Sequence, residues 1–242
     1  GQTINSYRWE KTRFADLLEI LAKRFPQTRF RFLTSHPILF ADEILEAVRD
    51  HGNLLPFFHL PAQSGSTRVL EQMKRGYTRK RYLELAGKIR EMVPGATLST
   101  DMICGFPSET ELEFQESLSL LREVKFETSF LFYYSERRNT AAAAMADSIP
   151  LEIRKERLAR MIEVQRGIQA EIYRSLIGSR LQVLVESKAR RGDGSMKGYT
   201  DGNLPVVFPA DQNTVGSLLP VRITGSTGHT LLGVVEELGE LS

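Results

Sequence analysis

The chain has 242 residues, of which 41% are hydrophobic and 26% are charged, and its formal net charge is +2. This size and composition are ordinary for a soluble globular protein and leave room for one large domain and one small domain. They exclude a membrane protein, because no apolar run approaches the ~20 residues that a transmembrane helix needs. The small net charge also restricts any nucleic-acid binding to local patches.

The cysteine and histidine content limits metal and redox chemistry. Cys104 is the only cysteine, so an internal disulfide is impossible, and one thiol is too few to hold an iron–sulfur cluster. The four histidines lack the spacing of zinc ligands, and the N-terminus lacks the basic and apolar segments of a signal peptide. We therefore predict a cytoplasmic protein with no membrane partner and no metal ligands in this chain.

Strand-like segments recur through the first part of the chain. Residues 29–35 alternate in polarity, and apolar runs follow at 57–61, 97–104 and 128–134. The last run is continuous and aromatic, as expected of a strand buried in a parallel sheet. At most four strands are predicted, which is too few for a complete eight-stranded barrel.

Helical segments separate these strands. Two of them are predicted to begin at possible N-cap residues, namely Asp42 and Ser66, and a third is predicted to run from Thr78. A fourth helix is predicted over 110–124, with Ser108 and Glu111 as its capping box. Alternating strands and helices predict right-handed βαβ units and a parallel sheet.

The sequence pattern changes near residue 176. Pro150 begins a long predicted helix over 151–176. Short β-like runs and turns then alternate, with runs at 181–186, 196–200, 204–208, 218–224 and 230–236. Five short strands predict an OB-like barrel, so we predict a first domain over 1–176 and a second over 177–242.

Two predicted strands end in polar loops that contain glycine. The first loop covers residues 63–66, and the second runs from Asp101 through Gly105 into the next helix. In parallel α/β folds the carboxyl ends of strands form the ligand mouth, so the two loops indicate one shared site. Gly65 would let the backbone approach a ligand. The alternative is a polar turn in which Ser66 only caps the next helix.

For four residues near these loops, a purely structural role is an alternative to a role in the site. Cys104 is predicted to be a small core residue, and His59 a hydrogen-bonded core histidine. Glu109 is predicted to interact with the helix dipole unless it turns inward. His36 either faces the mouth or lies in a surface turn before Pro37.

Six motifs occur in order along the chain: GQTINSY, FLTSHP, HLPAQSGS, RGYTR, STDMICGFPSET and YSERRNTAAAAM. Together they resemble the signatures of MiaB-type tRNA methylthiotransferases, which are radical S-adenosylmethionine (SAM) enzymes. The strand-rich C-terminal segment resembles the TRAM domain that holds tRNA in this family. The resemblance implies an α/β fold, with a partial radical-SAM-type (β/α) barrel followed by a small all-β OB-like TRAM barrel.

The chain departs from the family in three places. The family's N-terminal domain, whose three cysteines bind an auxiliary cluster, is absent, and so is the CxxxCxxC loop that holds the SAM-binding cluster. The chain also has Arg137-Arg138-Asn139-Thr140 where the family usually has Arg-Pro-Gly-Thr, although Asn tolerates the left-handed backbone that Gly supplies. By resemblance, the intact enzyme uses SAM and two 4Fe-4S clusters, and this chain is expected to be inactive alone.

The resemblance also assigns SAM contacts to the strand ends. The expected cofactor-binding residues are Asn5, Ser35, Gln63, Ser64, Asp101, Gly105, Phe106 and Tyr134. Arg137 is expected to pair with a substrate phosphate or with a site carboxylate such as Asp101. No catalytic residue is assigned.

Two basic patches interleaved with aromatic residues are candidates for RNA binding. The first consists of Lys74, Arg75, Arg79, Lys80 and Arg81 with Tyr77 and Tyr82. The second lies in the OB-like segment and consists of Lys188, Arg190, Arg191, Lys197, Tyr199 and Asn203. The resemblance to a TRAM domain favours the second patch, whereas the first is also typical of a solvated helix face.

The function implied by the resemblance is methylthiolation of tRNA. The intact enzyme would add a methylthio group to C2 of N6-isopentenyladenosine beside the anticodon, using a radical derived from SAM. The expected partners are the tRNA anticodon stem-loop and SAM, and the protein is expected to be a monomer. Two alternatives remain open: a RimO-like enzyme that acts on a ribosomal protein, and a tRNA-binding fragment without activity.

Overall fold

The computed structural model describes residues 3–33, 35–136, 142, 145, 148–190 and 194–236. The chain divides into two compact units, Gly1–Gln165 and Arg166–Ser242. The domain boundary that the sequence places after residue 176 stays a prediction. No helix in the described ranges is both long enough and apolar enough to cross a bilayer.

A parallel sheet and its helices form the first unit. The strands are β1 (Arg8–Trp9), β2 (Thr12–Arg13), β3 (Phe57–His59), β4 (Thr97–Cys104) and β5 (Thr128–Tyr133). The helices are α1 (Phe14–Arg24), α2 (Asp42–Asp50), α3 (Thr67–Gln72), α4 (Arg79–Met92) and α5 (Glu111–Val124). A further helix, α6 (Leu151–Ser175), begins in this unit. β1 and β2 form an antiparallel pair, whereas β3, β4 and β5 lie parallel in that order, which confirms the α/β fold class.

Apolar burial on β4 explains why this strand lies at the centre of the sheet. Leu98, Met102 and Cys104 are fully buried on it. α4 and α5 contribute buried residues such as Ile89 and Phe114. The core of the first unit therefore lies beside the central strand, as expected for crossover helices that cover a parallel sheet.

The predicted strand at 29–35 is wrong. Within its described residues the only pairing is an isolated parallel bridge between Phe30 and Leu54. The Phe57 amide, which would continue this ladder, donates instead to the carbonyl of Leu55 at 2.8 Å. The polarity alternation is real because Phe32 is buried against Phe14 and Phe58, but burial alone does not make a strand.

Two predicted helix starts are also corrected. The capping box of α5 uses Thr110 and Glu113 rather than Ser108 and Glu111. The reason is that Ser108 has a φ of +64°, so the chain is still turning there. Asp42 is the first residue of α2 rather than its N-cap, and its carboxylate lies where the helix dipole favours negative charge.

A closed barrel forms the second unit. Its strands are β6 (Arg180–Lys188), β7 (Ser195–Thr200), β8 (Pro205–Pro209), β9 (Leu218–Ser226) and β10 (Leu231–Val235). They close in the order β10-β8-β7-β6-β9. Val183, Val206, Val221 and Ile223 are buried inside, together with Tyr173 of α6. This confirms the predicted small all-β barrel.

Candidate functional site

A cavity of about 500 Å³ lies at the carboxyl ends of the parallel strands in the first unit. Its lining consists of Gln63, Arg75, Asp101, Ile103, Phe132, Tyr133, Tyr134, Ser135 and Ala142. The structure therefore brings together three of the predicted site residues, namely Gln63, Asp101 and Tyr134. It adds Arg75, which the sequence placed in an RNA-binding patch.

Backbone pairing to β4 fixes the position of Gln63. Its amide donates to the carbonyl of Asp101, and its carbonyl accepts from the amide of Ile103, both at 2.8 Å. Gln63 also has a φ of +68°, which is uncommon for a residue other than glycine. The first loop is thus attached to β4 immediately beside Asp101, and Gln63 lines the cavity.

The rest of the first loop faces α5 instead of the cavity. Ser64 is buried, and its hydroxyl lies 3.4 Å from the hydroxyl of Ser117. The Gly65 amide donates to the same Ser117 oxygen at 2.9 Å. A Cβ on Gly65 would lie 2.5 Å from the Ser117 Cα and would overlap the Glu116 carbonyl. Gly65 therefore permits close helix packing, which is a different role from the predicted approach to a ligand.

A buried ion pair supports the second loop. The carboxylate of Glu109 accepts from the Gly105 amide at 2.7 Å and from Arg157 Nη1 at 2.8 Å. Burial raises the pKa of Glu109, and the two donors oppose that rise. Glu109 thus turns inward, which settles the alternative left open by the sequence. Its partner Arg157 was not predicted, because nothing near residue 109 in the sequence identifies a partner on α6.

Gly105 turns the chain at the end of β4. Its φ is +72°, which an L side chain rarely adopts. A Cβ at this position would also lie 2.5 Å from Cγ of Arg154. Arg154 in turn donates to the Tyr134 carbonyl at 2.9 Å, so the same side chain packs against Gly105 and bonds to the backbone at the end of β5.

Two polar atoms at the cavity lack partners. The Tyr134 hydroxyl and Arg75 Nε are both buried, and neither has a hydrogen-bond partner among the described residues. The Tyr134 ring contacts the buried Phe106 ring edge-on, with centroids 5.3 Å apart. Both residues also line the cavity, so it is bordered by a phenol and a guanidinium.

Asp101 presents a carboxylate to the same cavity. Nε2 of His59 lies 3.6 Å from its Oδ2. Nδ1 of His59 lies 2.8 Å from the hydroxyl of Ser99, which agrees with the predicted hydrogen-bonded histidine. The cavity therefore combines a carboxylate with a guanidinium, and can take a ligand that carries both hydrogen-bond donors and an anionic group.

Asn5 and Ser35 are not among the residues that line this cavity. Asn5 uses its side-chain amide to donate to the His36 carbonyl and to accept from the His36 amide, both at 2.9 Å. The Ser35 hydroxyl donates to the His59 carbonyl at 2.6 Å. Burial, and then the charge of Arg75, lower the pKa of His36. Asn5 lines a separate cavity of about 180 Å³, so its predicted SAM contact stays a prediction.

Cys104 is a core residue. Its side chain is fully buried at the end of β4. Burial, followed by the charge of Glu109, raises the pKa of its thiol to about 12. A thiol with this pKa is neutral and is a poor nucleophile or metal ligand at neutral pH.

The first predicted RNA patch does not form a continuous surface. Tyr77 and Tyr82 are buried, and their hydroxyls donate to backbone carbonyls. Arg75 lines the cavity, and Arg79 donates to the Glu116 carbonyl and pairs with Glu123, both at 2.7 Å. The sequence spacing suggested one face, but the turn between α3 and α4 sends these side chains in different directions.

The second patch extends along β7 of the barrel. Lys197 lies over the ring of Tyr199, with its Nζ 4.9 Å from the centroid. Lys188 ends β6, Arg190 follows it, and Asn203 lies in the turn after β7 with a φ of +62°. Arg137 and Arg191 lie outside the described residues, so their predicted roles stay predictions.

The chain matches two protein families. Residues 6–121 match the radical SAM superfamily, and residues 174–235 match the TRAM domain. Two curated relatives are named tRNA-2-methylthio-N(6)-dimethylallyladenosine synthase. The one from Chlorobium chlorochromatii is 44% identical over an alignment of 236 residues that covers 96% of this chain and 53% of that protein. The one from Anoxybacillus flavithermus is 43% identical over an alignment of 246 residues that covers 100% of this chain and 46% of that protein.

The chain thus spans about half the length of these curated relatives. Among solved structures, it is similar to coproporphyrinogen III oxidase (HemN) from Escherichia coli, a radical SAM enzyme. That similarity has a TM-score of 0.48 at 14% identity and covers 84% of this chain and 50% of that chain.

Proposed function

We propose that this chain, whose residues 6–121 match the radical SAM superfamily and whose residues 174–235 match the TRAM domain, is the SAM-binding and tRNA-binding portion of a tRNA methylthiotransferase. The intact enzyme would place a methylthio group on C2 of N6-isopentenyladenosine beside the anticodon, in the cytoplasm. The observation that carries the proposal is the strand-end cavity lined by Gln63, Arg75, Asp101 and Tyr134, in a chain 44% and 43% identical to two enzymes named for this reaction.

The residues at the cavity fit SAM. Arg75 suits a carboxylate, Asp101 suits an ammonium group or ribose hydroxyls, and Tyr134 and Gln63 add further hydrogen-bonding groups. SAM supplies the adenosyl and methyl groups that the family's radical chemistry uses. In this proposal the chain's own residues bind SAM, orient it and exclude water.

The described residues do not fit an iron–sulfur cluster. They contain no group of three or more His, Cys, Asp or Glu side chains arranged to hold a metal ion. The one thiol in the chain, Cys104, is buried and has a raised pKa. We therefore propose that this chain alone binds ligands without cleaving SAM.

Removing either unpartnered group is expected to weaken binding of S-adenosylhomocysteine, a stable analogue of SAM. Arg75→Gln should lower the affinity by about tenfold or more, because charge-assisted hydrogen bonds contribute ~1.5–3 kcal/mol. Tyr134→Phe should lower it by about threefold to tenfold. Isothermal titration calorimetry on the purified chain measures both, with Arg122→Gln on α5 as the control. An affinity of Arg75→Gln within twofold of wild type would remove Arg75 from the site.

The barrel is proposed to bind the anticodon stem-loop. Lys188, Arg190 and Lys197 supply positive charge, and Tyr199 supplies a ring on which a base can stack. OB-like barrels bind oligonucleotides through this combination of cations and aromatic rings.

Charge removal on the barrel is expected to weaken RNA binding and reduce its salt dependence. Lys188→Gln and Lys197→Gln should each make the negative slope of log affinity against log salt shallower by about 1, because each loses one phosphate contact. Filter binding with an anticodon stem-loop at several salt concentrations measures the slope. Lys155→Gln, outside the barrel, is the control. An unchanged slope in the variant that combines Lys188→Gln with Lys197→Gln would show that RNA binds elsewhere.

A further inference from the structure

His59 connects a buried hydroxyl to the carboxylate in the cavity. It lies opposite Ser99 in the register of β3 and β4, and Asp101 follows two residues later on β4. Nδ1 of the imidazole lies 2.8 Å from Ser99 Oγ, and Nε2 lies 3.6 Å from Asp101 Oδ2. The His59 side chain is 12% exposed, whereas that of Asp101 is 32% exposed. The histidine is therefore a mostly buried side chain of β3 that lies beside a carboxylate at the cavity.

The two neighbours select one state of the neutral ring. A lone pair on Nε2 would face an Asp101 carboxylate oxygen 3.6 Å away, so electrostatic repulsion disfavours it and the neutral ring is favoured with its proton on Nε2. Nδ1 is then the acceptor, and the Ser99 hydroxyl donates to it. Because Ser99 is fully buried and the His59 ring contacts Phe130 edge-on at 6.0 Å, the ring has little freedom to turn.

We propose that His59 is a positioning residue that holds Oδ2 of Asp101, so that Oδ1 is directed at the donor groups of an adenosyl ligand. This inference rests on the proposed function, since it concerns the same cavity. It gives His59 a role beyond packing: a hydrogen bond to the Ser99 hydroxyl orients the imidazole, and the imidazole attracts the carboxylate electrostatically across 3.6 Å.

Two substitutions at His59 separate positioning from packing. The side-chain nitrogen of Gln lies near the position of Nε2, and that of Asn lies near the position of Nδ1. We expect His59→Gln to bind S-adenosylhomocysteine within about threefold of wild type, and His59→Asn to bind it about tenfold more weakly. In an Asp101→Asn background the two variants should bind equally. Equal weakening by Gln and Asn in the wild-type background would overturn the proposal.

The ring can also be observed without any ligand. In ¹⁵N NMR spectra of the wild-type chain we expect His59 Nε2 to be protonated and Nδ1 to be unprotonated, and we expect Asp101→Asn to shift the Nε2 resonance. A proton on Nδ1, or an Nε2 resonance that Asp101→Asn leaves unmoved, would overturn the inference.

The spectra distinguish a failure of this inference from a failure of the proposed function. If the wild-type chain binds no S-adenosylhomocysteine, the proposed cavity function fails, and the ring spectra decide the role of His59 by themselves. If the ligand binds but the spectra show the opposite tautomer, only the inference about His59 fails.

Discussion

Arg157→Met is expected to lower the free energy of unfolding of the first unit by about 3–5 kcal/mol, because it leaves a buried carboxylate without its cation. The side chain of Glu109 is 0% exposed, and that of Arg157 is 7% exposed. Arg157 Nη1 donates both to the Glu109 carboxylate and to the Glu109 carbonyl. Methionine fills a similar volume but supplies neither hydrogen bond.

Native-state hydrogen exchange at the α5 amides measures this loss for the first unit alone. Arg160→Met, on the same helix but more exposed, is the control and should change the free energy of opening by less than about 1 kcal/mol. A loss below about 1 kcal/mol for Arg157→Met would contradict the assignment of this ion pair.

The loss of stability caused by Arg157→Met is expected to depend on pH. Burial raises the pKa of Glu109 in the folded chain. A carboxyl group whose folded pKa exceeds its unfolded value, ~4.3, favours folding below that value and opposes it as the pH rises through the folded pKa. Removing the Arg157 charge raises the folded pKa further, so the loss caused by Arg157→Met should shrink as the pH falls from 7 toward 5.

Gly65→Ala is expected to destabilise the first unit by about 3 kcal/mol or to prevent its folding. A Cβ at this position would lie within 2.5 Å of the Ser117 Cα on α5. The clash is with backbone, so rotation of a side chain cannot relieve it, and overpacking of this kind typically destabilises by ~1–3 kcal/mol or more.

A second glycine gives the matched control for this substitution. Gly87 lies in α4, and a Cβ added to it would have no neighbouring atom within 4 Å. Gly87→Ala should therefore stabilise the helix by about 0.5–1 kcal/mol. Urea denaturation followed by circular dichroism compares the two, and equal stability of Gly65→Ala and wild type would show that the first loop and α5 are not packed this closely.

Local patterns predicted the elements that carry the site. β4 and β5 were predicted because their apolar runs are long and bounded by turns, and the cavity follows from where parallel strands end. The segment at 29–35 was wrongly predicted to be a strand because its burial does alternate. Its hydrogen-bond ladder stops because the Phe57 amide donates to Leu55 in a local turn. The periodicity of a sequence indicates which residues are buried, but it does not indicate which carbonyl each backbone amide donates to.

The contacts between distant residues could not be predicted in the same way. Glu109 near a helix start is consistent with either a dipole interaction or an ion pair, and only the position of Arg157 decides between them. In the sequence, Arg75 is one of several cations in a basic patch and nothing marks it as a cavity residue. In the structure its neighbours Lys74 and Gly76 both have a positive φ, and Arg75 between them lines the cavity. Such information belongs to the tertiary fold and not to any short window of sequence.

Hydrogen exchange of the wild-type chain, measured by mass spectrometry with and without S-adenosylhomocysteine, tests most directly whether the strand-end cavity of the first unit binds an adenosyl ligand. We expect added protection in the segments around Gln63, around 101–106 and around Tyr134, with the strands of the barrel unchanged. Saturating ligand that leaves those three segments unprotected, or protects only the barrel, would contradict binding in the cavity.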